Sequence, residues 1–434
     1  MPPPSHVLIV GGGLCGPALA IALSRHRIRS TILELRPQAG NNGGAIMLAP
    51  NALRVLDKVI GVDEEIKGEG FGLDKIDFFW EDGLRVGGIT MEDGGYGALR
   101  IQRTKLHRTL LDLCERDDRV EIKYGSKFVR IVEDEEGVTA YIEGGEAIRG
   151  DILIGADGIH SKVRAHVLGD RAPVPTYSGM VGIGGTLPRS SIILPEGMTY
   201  PSFIYTPRGM IMVMPTDPEG QAIGWAASLA DPHERSRKGW LEYQNSGQAA
   251  RDIKESYAGI RHEPIRSIMD NMVEEEQARV WAPYEIPDLS TWHTKRVCLI
   301  GDAAHAIPPS GGQGAGQAFE DAGFMARLLS AAPPSSSSPP ASSTTTLPEQ
   351  ATATTEPKSY DELFAHFEKV RKARFEHVRE LTKVSGNSRH GSPTWTGTMV
   401  RKYGMWAYFH LVKGGYYTDH ALMGYDVMDE SVEY

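Results

Sequence analysis

The sequence predicts an α/β fold in which a parallel sheet layered with helices is joined to a second, antiparallel sheet. Three observations predict it. An apolar run near the N-terminus, His6–Val10, breaks into glycines and then into helical patterning. The apolar run Val297–Ile300 breaks the same way, through four glycines, into a second helical pattern. Between about Val174 and Pro287 the pattern changes to short strands separated by turn signals.

The N-terminal element comes first. Gly11, Gly13 and Gly16 follow the strand with the spacing G-x-G-x-x-G. Leu14 to Ser24 then reads as a helix, with Leu14, Ala18 and Ile21 on one side and Pro17 in its first turn, where a missing N–H costs little. A second strand, Ser30 to Leu35, carries Glu34 about 20 residues past the glycines, where a carboxylate meets a ribose hydroxyl pair. Strand, turn, helix, strand and acid together predict a Rossmann-type site for an adenosine diphosphate. A tight turn without a ligand is the bland alternative, and the motif alone does not separate NAD from FAD.

The chain then departs from simple alternation. Gly43 to Gly61 (GGAIMLAPNALRVLDKVIG) leads to a strand-like stretch, Lys75 to Trp80. Ala98 to Cys114 follows, with Arg103 at the head of a helix carrying Leu106, Leu110, Leu111 and Leu113. Two readings of Arg103 stay open: a cation reaching a phosphate or a flavin edge, and an exposed helix-cap arginine. Asp151 to Arg164 (DILIGADGIHSKVR) is another strand that breaks into Gly155-Ala156-Asp157-Gly158 before a helix. Asp157 is both a candidate ligand group and an ordinary helix cap.

In the middle region Phe203–Tyr205, Met210–Met214 and Ile223–Ala227 read as strands, with a hairpin connection at Thr206–Gly209. Alternate residues share a face. Phe203, Tyr205, Met212, Met214, Trp225 and Ala227 are one such set, a flat apolar wall of adaptable side chains. Tyr205, Met212 and Trp225 are candidate substrate contacts, and Arg208 is a candidate anchor for an anionic substrate group. Packing against helices behind the sheet, and a solvated turn arginine, are the alternatives.

The C-terminal glycine segment, Gly301 to Ala322 (GDAAHAIPPSGGQGAGQAFEDA), carries the most chemistry. Gly311, Gly312, Gly314 and Gly316 let backbone approach a bulky flat ligand. Gln317 to Leu329 reads as the helix behind them, its N-terminus favouring negative charge. A reduced flavin is such a ligand. Two readings of His305 stay open: a general base, and a structural residue of the turn.

Composition excludes several classes. The 434 residues suffice for two or three domains, and 41% hydrophobic with 24% charged residues is an ordinary globular balance. A net charge of -10 with no basic run argues against nucleic acid. Cys15, Cys114 and Cys298 form no metal-ligand spacing and no disulfide framework, so no metal and a reducing, cytoplasmic setting are expected. The N-terminal apolar run reads as a strand, not a signal peptide, and no apolar stretch reaches the ~18 residues of a membrane helix. Residues 333–357, rich in Ser, Thr, Pro and Ala, read as a flexible insertion.

The order GGGLCG, Glu34, Arg103, GADGIHSKVR and GDAAHAIPPSGGQGAGQAFEDA resembles the single-component FAD-dependent aromatic hydroxylases, the para-hydroxybenzoate and salicylate hydroxylase type. The resemblance runs from the first strand to about Gly391, apart from the insertion. It implies an FAD-binding domain over 1–173 and 288–390 and a substrate domain over 174–287 with strands from about 72–98. Residues 391–434 remain as an aromatic C-terminal segment. It implies that Gly11, Gly13, Leu14, Cys15 and Gly16 hold the FAD diphosphate and Glu34 the ribose. Gly44, Ala45, Arg103 and Asp157 join the cofactor contacts, Asp302 bonds the ribityl chain, and Gly312, Gly314 and Ala315 lie by the ring. Pro308, Pro309 and Gly314 would face flavin and substrate, the two proline carbonyls turned toward a phenol.

The implied reaction is hydroxylation of an aromatic, phenolic or polycyclic small molecule. FAD, NAD(P)H as transient co-substrate and O2 would act through a flavin 4a-hydroperoxide, in a monomer or homodimer. A flavin oxidase or reductase on the same fold, and a non-catalytic dinucleotide-binding protein, remain as alternatives. The arginine two residues past Glu34 departs from the family's Glu-Arg pair. Trp281–Pro287 lacks the second tryptophan of the halogenase W-x-W-x-I-P motif and reads as a return strand.

Overall fold

A computed structural model describes residues 3–40, 43–272, 278–331, 359–387, 391 and 394–433. The insertion expected at 333–357 lies outside them. Five short apolar strands form a parallel sheet in the order Val297–Leu299, Ile152–Gly155, His6–Val10, Arg29–Leu33, Val120–Lys123. Val7, Leu8, Ile9, Leu153, Ile154 and Leu299 are fully buried, as strands covered on both faces must be. Helices Cys15–Arg25 and Gly314–Ala331 share their core with an antiparallel meander, Phe128–Glu133, Val138–Ile142 and Ala147–Gly150.

The second layer is a seven-stranded sheet. Its order is Arg279–Trp281, Met180–Pro188, Ala222–Ala230, Gly209–Pro215, Ser202–Thr206, Lys75–Trp80, Arg85–Thr90. Ser202–Thr206 pairs parallel with Lys75–Trp80, and every other neighbour is antiparallel. One face packs Ile183, Ile211, Val213 and Trp225 against Ala249, Ile253, Tyr257 and Ile268, from helices Gln248–Tyr257 and Ile265–Asn271. The opposite face packs Phe78, Tyr205, Met210 and Met214 in a second cluster with Ala49, Leu73, Ala98 and Phe409.

A small sheet joins the layers. Ala45–Leu48 and Gly70–Leu73 flank Ala98–Gln102, both antiparallel to it. Its alternation serves two cores: Leu48, Leu99 and Ile101 point into the first, Met47, Phe71 and Leu73 toward the second sheet.

Several elements differ from the sequence reading. The helix expected at Gln317–Leu329 begins at Gly314 and runs to Ala331. Glycine disfavours helix on entropy, but Gly316 is packed so closely that a Cβ would stand 3.1 Å from Gln313 Oε1. Strand Met180–Pro188 was hidden by its glycines. A Cβ on Gly182 would stand 2.0 Å from the Trp281 indole, so the glycine makes room for that ring.

The aromatic C-terminal segment has a place of its own. Helix Trp395–Ala407 leads to Phe409, which packs edge-on against Phe78 with centroids 5.4 Å apart. Gly87 admits that ring, since a Cβ there would stand 2.3 Å from it. Tyr416 donates to Asp77 Oδ1 (2.7 Å) beneath the Arg85 guanidinium. The segment therefore covers the outer strands of the second sheet. Phe409→Ala should lower the free energy of unfolding by about 3 kcal/mol. Urea denaturation checks this; a loss below about 1 kcal/mol would mean the cover is not part of the core.

Candidate active site

The three glycine-bearing turns emerge side by side at the carboxyl ends of neighbouring parallel strands. The Gly11 N–H donates to the Leu33 carbonyl (3.0 Å), Ala156 N–H to Val10 (2.8 Å) and Ile300 N–H to Gly155 (2.9 Å). Ligands of open α/β sheets bind at this edge. Gly11 has φ +115°, and a Cβ there would stand 2.3 Å from the Ala156 carbonyl oxygen. A Cβ on Gly16 would stand 2.0 Å from the Gly11 oxygen. Gly13 is the opposite case, with open space where its Cβ would be, as close approach of a diphosphate requires. Leu14 and Cys15 are buried. Cys15 Sγ lies 3.3 Å from the Ala318 carbonyl oxygen, which joins the first motif to the last.

Glu34 follows its strand and is fixed by backbone. Its Oε2 accepts from Gly12 N–H (2.8 Å) and its Oε1 from Arg36 N–H (2.9 Å). His107 Nε2 donates to the Gly12 carbonyl (2.6 Å) from below. Burial lowers the His107 pKa, against the pull of that carbonyl. Arg103 opens helix Arg103–Glu115, and its N–H donates to the Gly44 carbonyl (3.1 Å) next to Ala45. It is half-buried, not an exposed cap. Burial lowers its pKa, the Arg36 charge adds to that, and Asp302 opposes it.

Asp302 is exposed, yet dense surrounding protein desolvates its carboxyl and raises its pKa, with His305 and Arg103 pulling the other way. An exposed group that is desolvated lines a deep cleft. Gly44 and Gly314, like Gly13, have open space at their Cβ positions. Asp157 fills the capping role that the sequence offered. Its Oδ1 accepts from Ser161 Oγ (2.5 Å), and its Oδ2 accepts from the N–H groups of Lys162 (2.7 Å) and Val163 (3.2 Å). Both oxygens serve the start of helix Lys162–Leu168, so the side chain is engaged as a cap.

The ring-side loop is a turn, Pro309–Gly311, closed by Gly312 N–H donating to the Pro309 carbonyl (3.0 Å). That carbonyl is occupied, in contrast to the expectation for both prolines. Gly312 has φ +65° and lies near Met47, whose Cε would be 3.6 Å from a Cβ there. Ala315 is half-buried in the first turn of the helix that follows.

Beneath the loop lies a buried ionic network that the sequence reading did not assemble. Asp321 Oδ2 accepts from Gly301 N–H (2.7 Å) and His305 Nε2 (2.6 Å), and its Oδ1 from Arg371 Nε (2.6 Å). Glu320 bonds Arg371 (2.8 Å), Arg374 (3.1 Å) and Asn51 (2.6 Å), and Asn51 also donates to Gln313 (3.1 Å). Burial tends to raise the Asp321 pKa, but His305 and Arg371 outweigh it and hold it at about 2. His305, packed between Trp292 and Phe375, is a structural partner of this network. The signal in the sequence was the pair Glu320-Asp321 inside an otherwise apolar helix face.

The substrate set divides. Tyr205 and Met212 lie on the face away from helices Gln248–Tyr257 and Ile265–Asn271, where Tyr205 packs against Phe78 and beneath Arg401 of the C-terminal segment. Trp225 does not, because it pairs directly with Val213, while Met212 pairs with Ala226. A one-residue offset in register puts it on the other face, among the helices. Arg208 is exposed at the hairpin tip, its N–H donating to Thr206 Oγ1 (3.0 Å). Among the described residues no cluster of His, Cys, Asp and Glu could hold a metal ion.

A parallel sheet with a G-x-G-x-x-G turn, an acid after the next strand and glycines that leave open space beside the strand ends, joined to a separate apolar sheet, defines a flavoprotein. Comparison with known proteins agrees. The profile of the FAD binding domain family matches residues 5–334, and the chain belongs to that family, as a flavoprotein monooxygenase that uses FAD. A 3-amino-4-hydroxybenzoate 2-monooxygenase of Streptomyces platensis is 30% identical over 334 residues, 75% of this chain and 80% of that protein. The 3-hydroxybenzoate 6-hydroxylase 1 of Aquipseudomonas alcaligenes is 28% identical over 328 residues, 73% and 79% of the two chains. A salicylate hydroxylase substrate complex shares the fold, with TM-score 0.75 and 23% identity over 98% of this chain and 96% of that one.

The depressed Asp321 pKa fixes a sign. Its ordinary value is 3.8, so its contribution is present above about pH 4 and lost as pH falls through about 2. It should amount to roughly 2 kcal/mol. Asp321→Asn should flatten the fall in unfolding free energy between about pH 4 and pH 2. Equal slopes in the two proteins would mean Asp321 does not titrate in this way.

Proposed function

We propose that this monooxygenase uses NAD(P)H and O2 to hydroxylate an aromatic or phenolic small molecule. The observation that carries the reading is the meeting of the Pro309–Gly312 turn with Met47 at the apolar face of the second sheet. The relatives named for hydroxybenzoates support it. In this reading residues 1–173 and 288–390 bind the cofactor, and residues 174–287 with strands from about 72–98 bind substrate.

Bound FAD supplies electron acceptance from the nicotinamide and activation of oxygen. The chain's own residues do the rest. Gly11, Gly13 and Gly16 admit the diphosphate, Glu34 accepts from the ribose, and Arg103 and Asp302 flank the cleft. Gly44 and Ala45 border it on the other side. The N-terminus of helix Gly314–Ala331 turns free N–H groups and a positive dipole end toward negative charge on the cofactor. The Pro308 carbonyl, with the Pro309 carbonyl held in the turn, is the acceptor left for a substrate hydroxyl. Tyr205 and Met212 supply the apolar wall, which excludes water from the reacting groups.

Action as a monomer or homodimer is part of the proposal. No helix among the described residues is long and apolar enough to cross a membrane. The three cysteines are free and buried, in keeping with a reducing, cytoplasmic setting.

The test is incorporation of label from 18O2 into product, with phenol-stimulated NAD(P)H oxidation by the purified protein. Product without label would sink the hydroxylation reading in favour of an oxidase. Asp302→Ala should weaken FAD binding at least roughly tenfold, the worth of a hydrogen bond to a charged group. Equilibrium dialysis followed by the flavin absorbance checks this, and unchanged retention would remove Asp302 from the cofactor contacts.

A further inference from the structure

Five arginines are buried among the described residues: Arg54, Arg100, Arg164, Arg371 and Arg374. Four are held by the fold. Arg371 and Arg374 pair with Glu320, Arg54 pairs with Asp93 (3.1 Å), and Arg164 donates to the Ala303 and Ile159 carbonyls. Arg100 is the exception. It is 7% exposed, and its Nε has no hydrogen-bond partner. Among the described residues no carboxylate pairs with it. Burial alone pushes its pKa down, to about 10, so it keeps its charge at neutral pH.

Its position is informative. Arg100 lies in the middle strand of the small bridging sheet, directly between Met47 and Phe71. Leu99 and Ile101 on either side point into the first core, so Arg100 points the other way, toward the second sheet. Its Nη2 would stand 3.8 Å from a Cβ on Gly224, the residue paired with Met214. Met47, its neighbour on one side, touches the Gly312 turn. Phe71, its neighbour on the other, lines a cavity of ≈ 300 Å³ with Tyr200, Pro215 and Gly220. The guanidinium therefore lies between the ring-side loop and the substrate face.

We propose that Arg100 anchors an anionic oxygen group of the substrate, a carboxylate or a phenolate, and so selects anionic aromatic compounds. The proposal rests on the hydroxylation reading above and names its substrate class. An unpaired buried cation is costly, and an incoming oxyanion supplies the missing partner. The planar guanidinium suits a carboxylate, which it binds through two parallel N–H groups. Arg208, the sequence candidate for this role, is solvated at a hairpin tip, where an ion pair is worth little.

The test compares ligand binding to the FAD-loaded enzyme by calorimetry. Salicylate and 3-hydroxybenzoate are measured against salicylamide and 3-hydroxybenzamide, which are neutral and nearly isosteric. For a phenolate, 4-nitrophenol is measured below and above its own ionisation. The wild type should prefer one anionic form by roughly tenfold to a hundredfold. Arg100→Met should erase that preference and melt at the same or a higher temperature, since it removes an unpaired buried charge. Arg100→Lys, which keeps the charge without the fork, should retain part of it and carries the test if the Met variant does not fold. Equal binding of anion and neutral form by the wild type, no binding of either, or a preference that survives in the variants would overturn the anchor. Arg100-dependent acid binding without 18O in the product would keep the anchor and remove the hydroxylation reading.

Discussion

The carboxylate of Asp321 holds the cofactor side of this protein together. One oxygen fixes the Gly301 N–H, where the last parallel strand ends, and the His305 imidazole. The other takes the Arg371 guanidinium from helix Tyr360–Asn387. Glu320 beside it carries the same network through Asn51 to Gln313, at the entrance to helix Gly314–Ala331. The segment from Gly301 to Gly314 is therefore clamped at both ends by buried charge. Removing one partner would strand the others, which is why such networks are costly to break. Arg374 extends the clamp to the Ala421 and Leu422 carbonyls, so the C-terminal segment is tied to the same point.

Glycine has two opposite uses around the cleft. At Gly11, Gly16 and Gly182 the space is taken, by backbone or by an indole ring, and a methyl group would collide with the protein itself. At Gly13, Gly44 and Gly314 the space is open, and a methyl group would meet no protein atom within 4 Å. The first kind sets the packing of strand, turn and neighbouring element. The second kind leaves backbone accessible to a ligand. The sequence shows both as the same letter, and only their surroundings tell them apart.

Much of the site was legible because its logic is local. A G-x-G-x-x-G turn needs its strand, its helix and its acid within one continuous stretch, and Glu34 is held by the N–H of Gly12 inside that stretch. What was less legible depends on partners far away in the chain. Asp157 could be a ligand or a cap by sequence, and its distances to Ser161, Lys162 and Val163 make it a cap. Counting along one strand leaves Trp225 open between the substrate face and the helices, and the register with Val213 turns it to the helices. Arg100 carries no signal in the sequence, and the unpartnered state of its Nε appears only once the layers are assembled.

The sequence by itself determined the parallel sheet, the diphosphate turn and the order of the three motifs, because hydrophobic period and glycine spacing act over a few residues. The tertiary structure decided which side chains face each other: the Asp321 clamp, the cover formed by Phe409 and Tyr416, and the isolation of Arg100. The Arg371 arm of the clamp and the Tyr416 contact of the cover join residues 50 and 339 positions apart. Burial, which turns a charge from a solvated group into a demand for a partner, exists only after those contacts form.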